Sequence, residues 1–313
     1  MFRYAVRRIL AALPLLLALS MILFLYIHAV PGDPIAGMLG PNGNPALIKQ
    51  LRHAAGLDQS LPTQYWHWFV GLFHGSLGVS LVSGQPITPI LVQRIPATLQ
   101  LTVAALFFTV LLGLPVGFFA GVYKGSWLDR ILSPLSLIGL SIPVFWVGTL
   151  LFLVLGVHLR WLPTAGYVPF SQSPIESLRL TFMPAFALGF TLAPFLARLT
   201  RAATIELRQE QFIVHTTAKG LRRSTVLGRY LARNAVLPVL SVLGLQLGTL
   251  IGGQVIVEQV FNWPGIGRLI VEGAIQRDYL MVQSLILIIA SSYIVINLGV
   301  ELLHAWLDPR VRL

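Results

Sequence analysis

The chain is short of charged residues and has no cysteine. Asp, Glu, Lys and Arg make up 11% of its 313 residues, whereas hydrophobic residues make up 56% and the mean hydropathy is +0.78. A soluble domain carries about 25% charged residues, so this shortage indicates an integral membrane protein. The absence of cysteine excludes disulfides and thiolate metal sites.

Several enzyme motifs are also missing. The sequence has no Gly-x-x-x-x-Gly-Lys-Ser/Thr phosphate loop, no His-Glu-x-x-His pair and no Gly-x-Ser-x-Gly turn. We therefore expect no enzymatic activity and no cofactor or metal site in this chain. The net charge of +11 could suggest nucleic acid, but basic cytoplasmic loops of a membrane protein explain it better, so we expect no nucleic-acid partner.

Long apolar runs predict an all-α polytopic membrane protein with six transmembrane helices, since about 20 helical residues cross the apolar core. Of the 22 Lys and Arg residues, 15 fall on the side of both termini and 7 on the other, which predicts cytoplasmic termini. Few ionisable groups lie within the runs, which argues against a proton relay. The predicted spans are Ile9–Val30, Thr98–Val122, Ile131–Val157, Leu178–Leu199, Val236–Val257 and Val282–Leu303.

The spans divide the chain into a first helix (1–30), an extracytoplasmic loop domain (31–97) and a five-helix core (98–313). In the loop domain, a turn is predicted at Pro31–Pro34, because proline fixes φ. Short helices are predicted over Ala46–Ala55, Leu61–Phe73 and Thr88–Arg94, the last ending before Pro96. This domain is either a docking surface for a substrate-delivery protein or a cap that stabilises the bundle.

The connection 200–235 between the fourth and fifth spans is strongly cationic. The fourth helix can continue to Glu206, Gly220 permits a turn with positive φ, and Ser224 can cap the next helix. Two short helices around such a glycine form a knob that can enter a groove on a partner. The alternative is an ordinary basic loop. The residues predicted to dock in the groove of a partner are Thr217, Ala218, Lys219, Gly220, Leu221, Arg222, Arg223, Ser224 and Thr225.

Polar residues at membrane depth are candidates for a translocation path, because such groups face protein or water and not lipid. Helix–helix packing, where small residues are also common, is the alternative. On the outer side, Glu258, Phe261 and Trp263 are candidates for an external gate or loop. Glu258 could line a substrate path or form an interfacial hydrogen bond or ion pair, and Trp263 suits the headgroup region. The path candidates are Ser136, Ser141, Thr149, Gln246 and Thr249.

Together these segments resemble the dipeptide/oligopeptide/nickel family of ABC importer permeases, in its first-subunit (B-type) form. The resemblance covers nearly the whole chain, although Val214-His215-Thr216 replaces the Glu-Ala-Ala after which the family names its cytoplasmic loop. The matching segments, in order, are Val30–Pro34, Gly56–Asp58, Gly75–Gly78, Pro96–Thr98, Ser141–Pro143, Ala218–Leu221, Arg233–Ala235, Phe261–Gly265, Arg277–Tyr279 and Asp308–Arg310.

The resemblance implies a type I ABC importer permease in the bacterial inner membrane, in contact with its lipid. Its partners would be a second, similar permease subunit, two ATPase subunits that bind ATP and Mg, and an extracytoplasmic substrate-binding protein. Docking of Thr217–Thr225 would couple this chain to a separate ATPase. The substrate could be a dipeptide, an oligopeptide, glutathione or a nickel chelate. Two other classes stay open: a secondary transporter, which would need carboxylates or broken helices at mid-span, and a membrane scaffold without transport.

Overall fold

The computed structural model describes residues 2–29, 35, 44–54 and 56–307. The predicted turn at Pro31–Pro34 and the Asp308–Arg310 motif lie outside the described residues. The described part of the chain consists of helices and connecting turns, with a single antiparallel bridge between Val79 and Pro86.

The described residues form α-helices and two π-helical segments. Residues Phe152–His158 extend α6 as a π-helix, and Val226–Ala232 form a π-helix between α9 and α10. The helices are α1 (Phe2–Ala29), α2 (Pro45–Ala54), α3 (Leu61–Phe73), α4 (Ile87–Val122), α5 (Trp127–Ser141), α6 (Val144–Leu151), α7 (Pro174–Leu207), α8 (Gln211–Ala218), α9 (Arg223–Thr225), α10 (Arg233–Gly253), α11 (Val255–Val260), α12 (Ile266–Ile275) and α13 (Tyr279–Leu307).

The helices provide up to six membrane spans within the described residues. Four helices are long and apolar enough to cross a membrane by themselves: α1, α4, α7 and α13. Two bent pairs supply the other two crossings, α5 with α6 and the helical stretch from α9 through α10. The architecture is therefore the predicted all-α polytopic membrane fold.

The third predicted span, Ile131–Val157, is not one straight helix. Its two halves, Trp127–Ser141 and Val144–His158, meet at 95°. The break lies at Ile142, whose φ of −81° and ψ of 121° are extended, and Pro143 caps the second half. A residue before proline is driven out of the helical region, which explains why continuous hydrophobicity did not give a continuous helix.

The separate short helix predicted over Thr88–Arg94 is wrong. Helix α4 runs without interruption from Ile87 to Val122 and carries Pro96 inside it. Buried residues on both sides of this proline, among them Leu91 and Ala97, pack in the interior. Packing on both sides of Pro96 stabilises the continuous helix. Proline is tolerated in a membrane helix when neighbouring groups satisfy the backbone hydrogen bonds that it removes.

Helices α4 and α7 form the central pair and approach closely along a row of glycines. A Cβ atom on Gly117 would lie 2.2 Å from the carbonyl oxygen of Ala197, and one on Gly121 would lie 2.6 Å from Cβ of Thr204. Together with Gly113, these residues repeat at intervals of four and place one small surface along α4. Small residues at this spacing let two membrane helices pack backbone to backbone.

The segment that carries α2 and α3 is attached to the bundle through α3. Trp68 is buried, packs with Phe24 of α1 and Leu287 of α13, and donates from Nε1 to Oγ of Ser284 at 3.3 Å. Nearby, the Ser80 hydroxyl donates to the Asp278 carboxylate at the start of α13. The aromatic helix thus packs between the first and last spans instead of extending freely into solvent.

The turn after α2 is closed by an exposed ion pair. Gly56 has a φ of +67°, and across it the Nδ1 atom of His53 lies 2.5 Å from Oδ2 of Asp58. This hydrogen bond raises the pKa of His53 and lowers that of Asp58. The Gly56–Asp58 segment therefore forms the turn that ends α2, and a side-chain ion pair closes this turn.

Candidate functional site

The cationic connection folds as a compact knob, which we define as residues 211–232. Helix α8 ends at Ala218, the chain reverses at Gly220, and α9 with its π-helical continuation leads back. Gly220 has a φ of +76°, and a Cβ there would meet no atom within 4 Å. The glycine is needed for backbone conformation and not for space, as predicted for the turn.

The knob is anchored by a small apolar cluster at its base. Ile213 of α8, Val226 and Leu231 of the returning segment and Val122 at the end of α4 are all buried together. Arg208 donates from Nη1 to the carbonyl oxygen of Val122 at 2.6 Å, as cations do at helix C-termini. The knob is thereby fixed to the ends of α4 and α7.

The nine residues predicted to dock on a partner lie in the tip of the knob. Residues 217–224 are exposed and Thr225 is half-buried. Two details differ from the prediction. Arg222, and not Ser224, holds the N-cap position of α9, without a side-chain cap, because the turn ends two residues earlier than expected. The Arg223 guanidinium lies 5.6 Å from the centroid of the Tyr123 ring and so faces the base of the knob.

A buried carboxylate that the sequence analysis missed joins α5 to α7 beside the knob. Asp129 accepts hydrogen bonds from Nε of Arg201 at 2.7 Å and from Nη2 at 2.9 Å. It also accepts from the Ser133 hydroxyl and from the Gly125 amide. A bidentate pair of this kind fixes both distance and orientation between two helices.

The connection Tyr123–Arg130 is therefore more than the basic linker that it resembles in sequence. Ser126 accepts a hydrogen bond from the Asp129 amide at 3.5 Å, while the Asp129 carboxylate reaches back to the Gly125 amide. A Ser followed three residues later by an acidic residue is typical of a helix start. That spacing could have identified Asp129, but not its partner 72 residues away.

The five path candidates do not form one cluster within this chain. Ser136 and Gln246 are buried: the Ser136 hydroxyl donates to the Leu132 carbonyl, and Gln246 Nε2 donates to the Leu192 carbonyl at 3.4 Å. The Gln246 Oε1 atom has no hydrogen-bond partner among the described residues. The others are exposed and donate to carbonyls of their own helices: Ser141, Thr149 and Thr249.

The side chain of one of the outer candidates, Glu258, lies at the start of α12. The fully buried Glu258 carboxylate accepts a 2.6 Å hydrogen bond from the Arg268 amide, in the first turn of that helix. The N-cap residue of α12 is Gly265, which has no side chain, and a Cβ there would lie 1.9 Å from Oε1 of Glu258. Glu258 therefore caps α12 from a different helix, as carboxylates do at helix N-termini.

Trp263 and Phe261 are core residues, which corrects the prediction of a headgroup position for Trp263. The Trp263 ring is fully buried, and its Nε1 donates to the Ala97 carbonyl at 2.9 Å. Phe261 lies in the same buried cluster, and its carbonyl accepts from the Gly166 amide. Aromatic composition predicts an interface, but long-range packing buried these rings.

A line of buried hydrogen bonds connects this outer segment to α4. The Thr98 hydroxyl accepts from the Ile266 amide at 2.9 Å, and the Thr102 hydroxyl accepts from Nε2 of Gln254 at 2.6 Å. Thr102 donates in turn to the carbonyl of Thr98. The segment from Gln254 to Arg268 is thus held as one unit against α4.

Two family comparisons cover almost the whole chain. Residues 113–313 match the family described as "Binding-protein-dependent transport system inner membrane component". Residues 1–102 match the corresponding N-terminal family, "Binding-prot-dependent transport system membrane comp, N-term". The boundary between the two matches falls inside α4.

Several curated proteins resemble the chain over its full length. The "Glutathione transport system permease protein GsiC" of Pectobacterium atrosepticum is 38% identical over 312 residues, covering 100% of this chain and 99% of that protein. The protein of the same name from Escherichia coli K12 is 36% identical with the same coverage.

Two solved structures share the fold. Both are described as inward-facing conformations of the MetNI methionine ABC transporter. One has a TM-score of 0.58 at 20% identity and the other 0.56 at 22% identity. Each alignment covers 70% of this chain and 96% of the other.

Proposed function

The chain belongs to the family of binding-protein-dependent transport system inner membrane components, and we propose that its knob couples a translocation path to separate ATPase subunits. It is the permease subunit of an ABC importer and a multi-pass protein of the inner membrane. Such an importer works with ATPase and substrate-binding partners. Family membership favours ATP-driven import over the gradient-driven and scaffold alternatives.

The observation that carries the proposal is the combination of an exposed tip and a fixed base. Residues 217–224 are free to enter a groove, whereas Ile213, Val226 and Leu231 pack against the end of α4. Force applied to the tip therefore acts on α4 and α7 and not on a loose loop. The Asp129–Arg201 pair extends that connection to α5.

The complete machine in this proposal contains a second, similar permease subunit, two ATPases that bind ATP with Mg, and one extracytoplasmic binding protein. When the ATPases close on ATP, they move this knob and the corresponding knob of the second permease subunit. The two permease subunits then rotate and open the path outward, and ATP hydrolysis restores the inward-facing state. This chain supplies no catalytic group. Its exposed polar residues Ser141, Thr149 and Thr249 would face the path between the two permease subunits.

For the substrate we propose a small peptide, with glutathione as the first candidate. The support is full-length similarity to proteins named as glutathione permeases. Uptake of radiolabelled glutathione, a dipeptide and a nickel chelate is compared in a strain lacking this chain and in the restored strain. Restored uptake of glutathione or the dipeptide supports the proposal, and restored uptake of nickel alone rules it out.

Gly220→Val tests the coupling role. Valine is a strong outlier at positive φ, so the turn should distort and substrate-stimulated ATP hydrolysis by the full complex should fall at least tenfold, with normal membrane insertion. Gly228→Val is the matched control. That glycine also has open space but lies within a helical segment, where valine is no worse than glycine.

Stimulation should persist in the Gly228→Val complex. If Gly220→Val inserts and is still stimulated like the wild type, the knob is an ordinary basic connector. Arg222→Gln should reduce stimulation only mildly, because an exposed ion pair contributes about 0–1 kcal/mol.

A further inference from the structure

A cavity opens between α4, α5 and α7, near the end of α7 that leads to the knob. It has a volume of about 310 Å³. Apolar side chains form most of its wall, including Val116, Ala120, Leu132 and Leu137. Two guanidinium groups, Arg198 and Arg201, lie on the same wall one helical turn apart. An apolar cavity next to cationic side chains can bind an anionic amphiphile, whose chain contacts the apolar wall and whose anionic group contacts the cations.

The charges on α7 show the depth of this cavity in the membrane. Arg179 and Arg198 are separated by 19 positions with no charged residue between them. At 1.5 Å per residue that separation is about 29 Å, close to the roughly 30 Å apolar core of a bilayer. Arg198 and Arg201 therefore lie at the headgroup level on the side of the knob.

The two arginines differ in how far their charge is neutralised. Arg201 uses Nε and Nη2 in its pair with Asp129. Arg198 is exposed and has no ion-pair partner among the described residues. The mouth of the cavity thus carries about one unbalanced positive charge, enough for one phosphodiester.

We infer that this cavity binds an anionic phospholipid, with one acyl chain against the apolar wall and the phosphate at Arg198. Basic pockets between membrane helices on the cytoplasmic side bind anionic headgroups in this way. The wall includes two serines, Ser133 and the path candidate Ser136, but most of it is apolar. Membrane depth and this lining favour a lipid over a solute in transit, whose path would need more polar walls. The bound lipid would pack against α5 and α7 next to the Asp129–Arg201 pair.

Native mass spectrometry of the full-length chain in mild detergent tests this inference with two probes of matched acyl chains, phosphatidylglycerol and phosphatidylcholine. The wild type should retain phosphatidylglycerol preferentially. Arg198→Gln should lower its affinity about fivefold, the factor for one cation near an anionic headgroup. Arg229→Gln, which removes an exposed cation of the knob that does not line the cavity, should change nothing.

Ala202→Phe provides a second, independent variant that fills the cavity without changing charge. Ala202 lines the cavity and is exposed, so the larger ring has room to enter. It should reduce binding of both phospholipids. Equal retention of the two lipids by the wild type, or unchanged retention in Arg198→Gln and Ala202→Phe, overturns the inference.

Displacement of phosphatidylglycerol by glutathione in the wild type would also overturn it, because the cavity would then belong to the solute path. Failure of the lipid inference leaves the coupling proposal intact, since Gly220→Val is scored by ATP hydrolysis and not by bound lipid.

Discussion

At the residue scale, Glu258 is a buried carboxyl group that forms no ion pair among the residues that the structure describes, and one of its oxygens accepts a hydrogen bond. Its Oε2 atom accepts a hydrogen bond from the Arg268 amide, which has no partner within α12. Its side chain also lies so close to Gly265 that a Cβ atom at that position would clash with it. An acceptor at a helix N-terminus is favourable because the first amides have no partner within the helix. Glu258 is therefore a positioning residue for the outer segment.

Removal of this acceptor should destabilise the protein. In Glu258→Ala the amide of Arg268 loses its partner and a void remains, so we expect a loss of about 2–4 kcal/mol and a lower thermal midpoint in detergent. Glu258→Gln keeps an oxygen and should lose less. The control is Glu272→Ala, which removes the 2.7 Å partner of the Arg268 side chain and should cost under about 1 kcal/mol.

An unchanged midpoint in Glu258→Ala would show that α12 does not depend on this cap. A loss as large in Glu272→Ala would instead assign the effect to the Arg268 side chain.

At the element scale, the seam between α4 and α7 is the feature on which the rest of the bundle depends. The two helices carry the base of the knob at one end and contact the outer segment at the other. Their close approach requires that Gly113, Gly117 and Gly121 have no side chain. Motion of the knob can reach the outer segment along this pair, and also along α10, which runs from the knob directly into α11.

A large residue in the seam should separate the pair. Gly117→Leu places atoms where the Ala197 carbonyl lies, and overpacking of this kind costs about 1–3 kcal/mol or more. We expect a lower thermal midpoint and weaker expression in the membrane. Gly299→Leu is the control, because a Cβ at Gly299 in α13 meets no atom within 4 Å. Equal midpoints for the two variants would contradict the packing role.

At the scale of the whole molecule, the orientation in the membrane follows from the distribution of basic residues and from the position of the knob. We expect an even number of spans, with both termini and the knob on the cytoplasmic side, where ATPase subunits would act. In that orientation the segment that carries α2 and α3 would face outward, where a binding protein would reach it.

Single cysteines test this orientation in a chain that has none of its own. Ser60→Cys and Ser224→Cys are both at exposed positions. A membrane-impermeant maleimide added to intact spheroplasts should label Ser60→Cys at once and Ser224→Cys only after permeabilisation. Labelling of both in intact spheroplasts, or the reverse order, would refute the topology.

What local sequence determined was the membrane class, the approximate positions of the spans and the turn of the knob. The length of an apolar run and the turn at Gly220 depend only on residues that are close in sequence. They can therefore be predicted without knowing which distant residues are in contact. The prediction of Leu61–Phe73 as a helix is confirmed for the same reason. The break at Ile142–Pro143 was only partly visible locally: a residue before proline disfavours the helix, but α4 continues through Pro96 without a break.

Only the tertiary structure decided which polar groups meet. Asp129 and Arg201 are 72 residues apart, Thr98 and Ile266 are 168 apart, and Trp263 donates to Ala97 across 166 residues. No spacing rule connects such positions, since each contact depends on where the intervening helices pack. Residue type made Trp263 a candidate for the membrane surface, whereas the fold placed it in the core, because long-range packing and a buried hydrogen bond outweighed its interfacial preference.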